Sequence, residues 1–460
     1  MKEYRKYTKD MLKFIDGSPS CFHAVVNITE RLDAAGFTGL EEREPWKLLS
    51  GQGYYVVRND SSVIAFRIPK AATEGIKSIP NGEVPHRKDM ESEVRGFHIV
   101  ASHSDSPTFK VKELPEMVVE DKYVKLNTEK YGGMILSTWF DRPLSVAGRI
   151  VVREKCSEEN GERTAETKLV TKLVNIDEDL LVIPNVAIHM NREMNKGVEY
   201  NPQVDMLPLF ADGIESQGKG ALLKKIAKTA GVKGKDILGH DLFLYVRDKG
   251  RALGENGEFI LSPRLDDLQC VYASVQAFVE SEPMNHINVC AVFDNEEVGS
   301  GTRQGADSTF LEDVLLRIGE SMGMATGDLR RLIAGSFLIS ADNAHAVHPN
   351  HPEKADPTNR PYLNNGIVIK YHGCQKYTTD AITAARMKDI CERAGVPFQT
   401  YANRSDVAGG STLGNISTAH VSVSSVDIGL PQLAMHSAVE TAGVRDTEYA
   451  VKALKTFYRE

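Results

Sequence analysis

FHIVAS (97–102) is an apolar run that passes without a linker into His103-Ser104-Asp105. Four further runs are built alike: INVCAVF (287–293), GSFLIS (335–340), GIVIKY (366–371) and VSVSSVDI (421–428). Each is rich in β-branched residues and stops abruptly at polar ones, the pattern of a strand buried on both faces. Between them apolar residues recur with helical spacing over 22–35, 265–281, 309–319, 377–394 and 447–458. In the second of these, Leu268, Val271, Tyr272, Val275 and Phe278 fall on one face. Alternating strands and helices predict an α/β fold with helices on both faces of the sheet. Ligands in such sheets gather at the carboxyl ends of the strands.

Residues 108–235 have another character. They contain the charged stretch REKCSEENGERTAETK (153–168), the alternating TKLVTKLVNI (167–176), and Gly/Lys-rich punctuation from 213 to 235. We read them as a mainly-β domain inserted into an α/β domain made of 1–107 and 236–460. A chain of 460 residues exceeds one ordinary domain, which agrees with two.

The net charge of −8 comes from 55 basic and 63 acidic residues spread along the chain. No basic stripe suited to nucleic acid emerges. The N-terminal MKEYRKYTKDMLKFIDGSPS lacks an apolar leader core, and no stretch approaches the roughly 18 apolar residues of a membrane span. A cytoplasmic protein without membrane contact is expected. The six cysteines, Cys21, Cys156, Cys270, Cys290, Cys374 and Cys391, form no C-x-x-C pair, so reduced thiols are expected.

Chemistry concentrates where the strands stop. FHIVAS leads to His103 and Asp105, AVFDN to Glu296 and Glu297, FLIS to Asp342, and the last strand is followed by Met435-His436. Asp266 opens the helix at 265–281. Two histidines and three carboxylates are donors that zinc, manganese or cobalt accept. With one carboxylate bridging, they form two sites about 3.5–4 Å apart, the spacing of two-metal hydrolases. Asp105 stands two positions after His103, on the same side of an extended chain, where it can accept the imidazole's second N–H. Glu296 and Glu297 diverge, so one can bind metal while the other faces a water.

Singly, each residue has a plainer explanation. His-x-Asp is a common surface pair, Glu-Glu a common solvated loop, and paired aspartates suit the positive end of a helix. A late histidine is commonly a packed core residue. Joint placement at one edge of one sheet is what points to a site. Competing motifs fail: H-E-x-x-H and G-x-S-x-G are absent, and Gly213–Gly220 approaches a P-loop but has Gly220 where a Ser or Thr should follow the lysine, with no apolar strand before it. His345, His348 and His351 are interrupted by Pro349 and Pro352, which prevents helical registration and makes a loop beside the active site.

In order, FIDGSPSCFHAV, ASHSDSP, SPRLDD, DNEEVGS, ADNAHAVHPNH and PQLAMHS resemble the successive signatures of the aspartyl aminopeptidase family, from about residue 14 to residue 440. The resemblance implies a two-metal exopeptidase with a mixed sheet and an inserted dimerisation or lid domain. It implies two divalent ions per subunit, zinc with manganese or cobalt as alternatives, held by His103, Asp266, Glu297, Asp342 and His436, with Asp266 the bridge. Glu296 becomes the general base and Asp105 the residue orienting His103. IPNVAIHMNR resembles the stretch whose histidine reaches a neighbouring subunit's site, making His189 a donor in trans. His345, Lys370 and Tyr377 fall where the family contacts substrate, although Lys370 also reads as an exposed strand-end cation and Tyr377 as helix-start packing.

The implied substrates are short peptides beginning with Asp or Glu, and the implied assembly is a tetrahedral dodecamer of dimers. Cys21, Asp267 and Asn343 depart from the residues usual there, proline, asparagine and methionine. None is an expected ligand. A carboxypeptidase or N-acyl amino acid deacylase on the same metals, or a shell protein without catalysis, remain the alternatives.

Overall fold

The computed structural model describes residues 3–70, 94–155, 167–213 and 219–460. Its largest sheet has nine strands. From edge to edge they are Thr38–Leu40, Gly53–Arg58, Ser62–Arg67, Ile287–Phe293, Phe97–His103, Phe337–Ala341, Ser424–Gly429, Ile367–Tyr371 and Phe398–Ala402. The four strands at the centre run parallel, with antiparallel neighbours on either side, so the sheet is mixed. All five strand runs expected from the sequence are in this sheet. Phe97–His103 and Ile287–Phe293 are buried along their whole lengths, as continuous apolar runs require.

Alternate residues of these strands feed two cores. Phe97, Ile99, Ala101, Val289, Ala291 and Phe293 pack with the helix Phe310–Ser321. Val100, Cys290, Val292 and Ile339 pack with Leu265–Val279, Ala381–Ala394 and Asp446–Tyr458. A fully buried Ile, Val or Phe side chain contributes about 1.5–3 kcal/mol, and a one-residue slip would exchange the two faces. Register is therefore strongly specified, and with it the level at which each strand ends. Phe293 lies opposite His103, and Ser340 opposite Ala101, so Asp342 comes level with His103.

A six-stranded antiparallel sheet forms the second layer, ordered Thr167–Asn175, Leu144–Lys155, Ile237–Val246, Thr108–Val119, Tyr123–Tyr131 and Leu209–Asp212. It has its own core around Phe109, Trp139, Leu144, Ile150 and Leu242. Ile237–Val246 pairs along its length with Leu144–Lys155, so this sheet continues past the boundary read at 235. The stretch 213–235, read as punctuation, contains the helix Ala221–Ala230. A four-residue strand, Leu209–Asp212, does precede Gly213, contrary to the sequence reading; it is antiparallel to its neighbour. Residues 214–218 of the P-loop-like segment, and Cys156 with 157–166 of the charged stretch, lie outside the described residues.

A third sheet of five short strands, not foreseen, joins Arg251–Leu253, Phe259–Ser262, Glu440–Gly443, Pro431–Leu433 and Ala344–His345. Among the described residues no helix is long and apolar enough to cross a membrane, and Cys21, Cys270, Cys290, Cys374 and Cys391 are free thiols.

Candidate metal centre

The five expected ligands converge. His103 Nε2 is 3.5 Å from Asp266 Oδ1 and 3.9 Å from Asp342 Oδ1. His436 Nε2 is 3.5 Å from both Asp266 Oδ2 and Glu297 Oε2. Asp266 thus presents one oxygen to each imidazole, the disposition of a bridging carboxylate. His103 with Asp266, Asp267 and Asp342 makes one group whose donor atoms lie within 4.8 Å of one another; Asp266, Glu297 and His436 make another. His103, Glu296 and Glu297 also fall within that span.

Local structure explains each position. His103 closes its strand. Asp266 and Asp267 lead the helix Leu265–Val279 but have non-helical backbone, φ −80°, ψ 109° and φ −115°, ψ 15°, so Asp266 is presented ahead of the regular helix. Glu296 begins the single turn Glu296–Val298, entered through Asn295 in the left-handed region at φ 63°. His436 is not simply beyond the last strand of the large sheet: it lies between Pro431–Leu433 and Glu440–Gly443 of the small one, at φ 64°.

Asp105 meets His103, mainly through its backbone. Its carbonyl oxygen is 3.1 Å from His103 Nδ1 and its Oδ1 3.4 Å. The Asp105 carboxylate accepts hydrogen bonds from the Tyr131 hydroxyl at 2.7 Å and from the backbone N–H groups of Glu296 and Glu297 at 3.2 Å each. Asp105 therefore ties the imidazole to the Glu296–Glu297 turn.

The electrostatics are those of a site built for positive charge. Burial raises the carboxyls of Glu297, Asp342 and Asp267, with neighbouring carboxylates adding to the rise. Glu296 is lifted to about 7, first by burial, with His103 opposing and Asp342, Asp105 and Asp266 reinforcing. Burial opposes ionisation of Asp266 as well, yet contact with both imidazoles holds it below the ordinary range. Among the described residues, Asp266 Oδ1, Asp267 Oδ1 and Glu297 Oε1 are buried without a hydrogen-bond partner. Buried acceptors without donors are costly, and divalent cations satisfy them. The donor set fits zinc, which takes imidazole nitrogen and carboxylate oxygen.

A cavity of about 660 Å³ opens onto this cluster; its lining includes Glu296, His345, Lys370, Tyr377, Tyr401 and His436. The three expected substrate-contact residues thus line it together. Lys370 is not an exposed cation: it is 2 % exposed, and its ammonium donates to the carbonyls of Asp342 at 2.8 Å and Asn343 at 3.2 Å. Burial pulls its pKa down, but Asp342, Tyr377, Asp427 and Cys270 together outweigh this and hold it above the usual value. Tyr377 is buried beside it and precedes rather than starts the helix, whose cap is Asp380. His189 is exposed and is not part of this cavity's lining in its own chain. His348 and His351 are 5.3 Å apart in the loop after His345.

Sequence reasoning missed Tyr131 and Glu440. Glu440 is buried, and its two oxygens accept the backbone N–H of Asp266 at 3.0 Å and of His436 at 2.8 Å. Of the departures noted above, Asn343 donates to Gln269 and Gln432, and Asp267 accepts the backbone N–H of His103. Both serve the frame of the site.

Histidine and carboxylate donors around one shared aspartate, at the carboxyl edge of a mixed α/β sheet, define a metallohydrolase-type centre. The model of the Aminopeptidase I zinc metalloprotease (M18) family matches residues 14–81 and 87–458. A probable M18 family aminopeptidase 2 of Clostridium acetobutylicum is 47 % identical over 461 residues, covering 100 % of each chain. A cryo-EM structure of the Ape4 and Nbr1 complex superposes with a TM-score of 0.88 at 35 % identity, over 99 % of this chain and 86 % of that one. The S. cerevisiae mApe1 dodecamer superposes at 0.80 with 25 % identity, over 99 % and 97 %. The chain belongs to the M18 family of zinc metalloaminopeptidases.

Proposed function

We propose that this chain removes the first residue of short peptides with two divalent cations per subunit, held by His103, Asp342, Glu297 and His436 and bridged by Asp266. The observation that carries this reading is the pair of Asp266 oxygens, one 3.5 Å from each imidazole. Cations held by these residues would supply a bound water with its pKa lowered toward about 7 and would offset charge on the reacting carbonyl. Glu296, on the cavity wall with its carboxyl raised by burial to about 7, takes a proton from the attacking water and delivers it to the leaving amine. Asp105 keeps His103 in the tautomer whose Nε2 faces the cluster.

Lys370, lining the cavity, supports a preference for Asp or Glu at the first position, since an ammonium pairs with a carboxylate. His189 acts in a neighbouring subunit's site, donating to the tetrahedral oxyanion. Its surroundings support a protein-facing role: Val186, Ile188, Met190 and Val198 are exposed apolar residues around it. Residues 108–246 then serve as dimerisation or lid domain of a dodecamer, the assembly of the S. cerevisiae relative. The free thiols suit a reducing compartment such as the cytoplasm.

The test is hydrolysis of Asp-, Glu-, Leu- and Met-initiated peptides, free and N-acetylated, with bound metal quantified. Activity on free termini alone, strongest for Asp or Glu, is expected. Cleavage of acetylated peptides would overturn the aminopeptidase reading, and a Leu preference the acidic one.

A further inference from the structure

None of the expected metal ligands belongs to the six-stranded sheet, yet one turn that leaves that sheet touches both histidine arms. Tyr131, the last residue of Tyr123–Tyr131, donates its hydroxyl to Asp105 Oδ2 at 2.7 Å and accepts from Asn295 Nδ2 at 2.8 Å. Asp105 in turn contacts His103 Nδ1. Two residues on, the Gly133 carbonyl lies 2.9 Å from His436 Nδ1, the nitrogen opposite the one facing Asp266 and Glu297. Ile135 N–H donates to the His436 carbonyl at 2.9 Å, and Thr138 Oγ1 accepts from Ala438 N–H at 2.9 Å. Gly132, between them, has φ 81°, and a Cβ there would lie 3.1 Å from Glu297 Cβ and 3.4 Å from Glu297 Oε2.

We propose that the Tyr131–Ile135 turn is a positioning element for both ligand histidines, so that cation affinity depends on the docking of the six-stranded sheet. The inference rests on the two-cation reading of the site. An imidazole ligand is a strong one only when its second N–H has a fixed acceptor, and removing such an outer partner costs typically about 10–100-fold in metal affinity. Here one acceptor, Gly133, belongs to the turn itself, and the other, Asp105, is braced by its tyrosine. Glycine is favoured because L side chains rarely adopt its backbone conformation, and a Cβ there would press on the Glu297 side chain and shift it by a few tenths of an ångström.

The experiment is competition between a chromophoric chelator and the full-length protein for zinc, after stripping, in wild type, Tyr131→Phe, Gly132→Ala, Asp105→Asn and the Tyr131→Phe/Asp105→Asn double variant. Tyr131→Phe deletes one oxygen and keeps the ring against Phe243, 5.5 Å between centroids, so the stripped protein should stay folded, its urea midpoint lowered only by the loss of the hydroxyl's two hydrogen bonds. Zinc affinity is expected to fall about 10–100-fold in each single variant, with the double variant losing less than the product of its parents. Affinities within twofold of wild type would overturn the proposal, and a strictly multiplicative double variant would overturn the route through Asp105. Wild type binding a single ion would sink the two-cation reading instead, and the same twofold criterion on that ion would then decide the proposal.

Discussion

Replacing Glu296 by glutamine separates the two roles its position allows. Glu296 stands within 4.8 Å of His103 and Glu297 donors, close enough to be a ligand, and it also lines the cavity where substrate would lie. Glutamine keeps the side chain's size. Its backbone N–H still reaches Asp105 Oδ1, 3.2 Å away, so the Glu296–Val298 turn should survive. The carboxylates of Asp342, Asp105 and Asp266 all push the Glu296 carboxyl upward, so removing its charge relieves repulsion. The variant should therefore melt no earlier than wild type and hold the same metal. What it loses is the proton acceptor. A positioned general base contributes about 10²–10⁴-fold, or about 2.7–5.4 kcal/mol of barrier at 1.36 kcal/mol per decade. Steady-state kinetics on a free peptide, with metal content measured on the same sample, should show kcat lowered by about two to four decades and KM within a few-fold. A kcat within tenfold of wild type at full metal content would refute the assignment as base. Lost metal would make Glu296 a ligand.

Three further outcomes follow from the geometry. Lys370→Met removes the donor from two carbonyls, so some stability is lost, about 1–3 kcal/mol for each group left unpaired; peptides starting with Asp or Glu should lose at least tenfold more kcat/KM than a Leu peptide. A uniform loss would leave Lys370 only the task of holding the Asp342 loop. His189→Phe should lower turnover at unchanged metal content in an intact oligomer, and unchanged kinetics would remove the donor in trans. Burial lifts the Asp446 carboxyl to about 7, against the N–H groups of Gly366 and Asn364 that it accepts. Its folded pKa exceeds its unfolded one, so its contribution, on the order of 4 kcal/mol, is complete below about 4 and is lost as pH rises through 7. The difference in urea midpoint between wild type and Asp446→Asn should accordingly shrink from pH 5.5 to pH 8; a difference that grows with pH would reverse the sign of the argument.

What could be read along the chain was what local chemistry determines. An apolar run that stops at a polar residue marks a strand end, and the buried register of the four parallel strands brings such ends to one edge, which is why His103, Glu297 and Asp342 could be singled out from the sequence. The hairpin Gly53–Arg58 and Ser62–Arg67 carried a signal that went unused, the turn-favouring pair Asn59-Asp60 between two short apolar runs. The boundary at 235 failed because ILGHDLFLYV belongs to its sheet through pairing with Leu144–Lys155 and Thr108–Val119, some ninety residues or more earlier, and no local pattern reports such partners. Lys370 looked exposed because a lysine ending an apolar run ordinarily is; only the return of Asp342 and Asn343 over it, with their carbonyls, makes burial affordable. The same limit hid the outer frame of the site. Tyr131 is one of fifteen tyrosines, and Gly132-Gly133 reads as a turn; that the turn faces Asp105 and His436 follows from how one sheet docks on the other. Ligands can be found by residue type and strand position, but the groups that orient them are chosen by tertiary contact, so a chain can keep all five donors and still lose its metal through a substitution three hundred residues from His436.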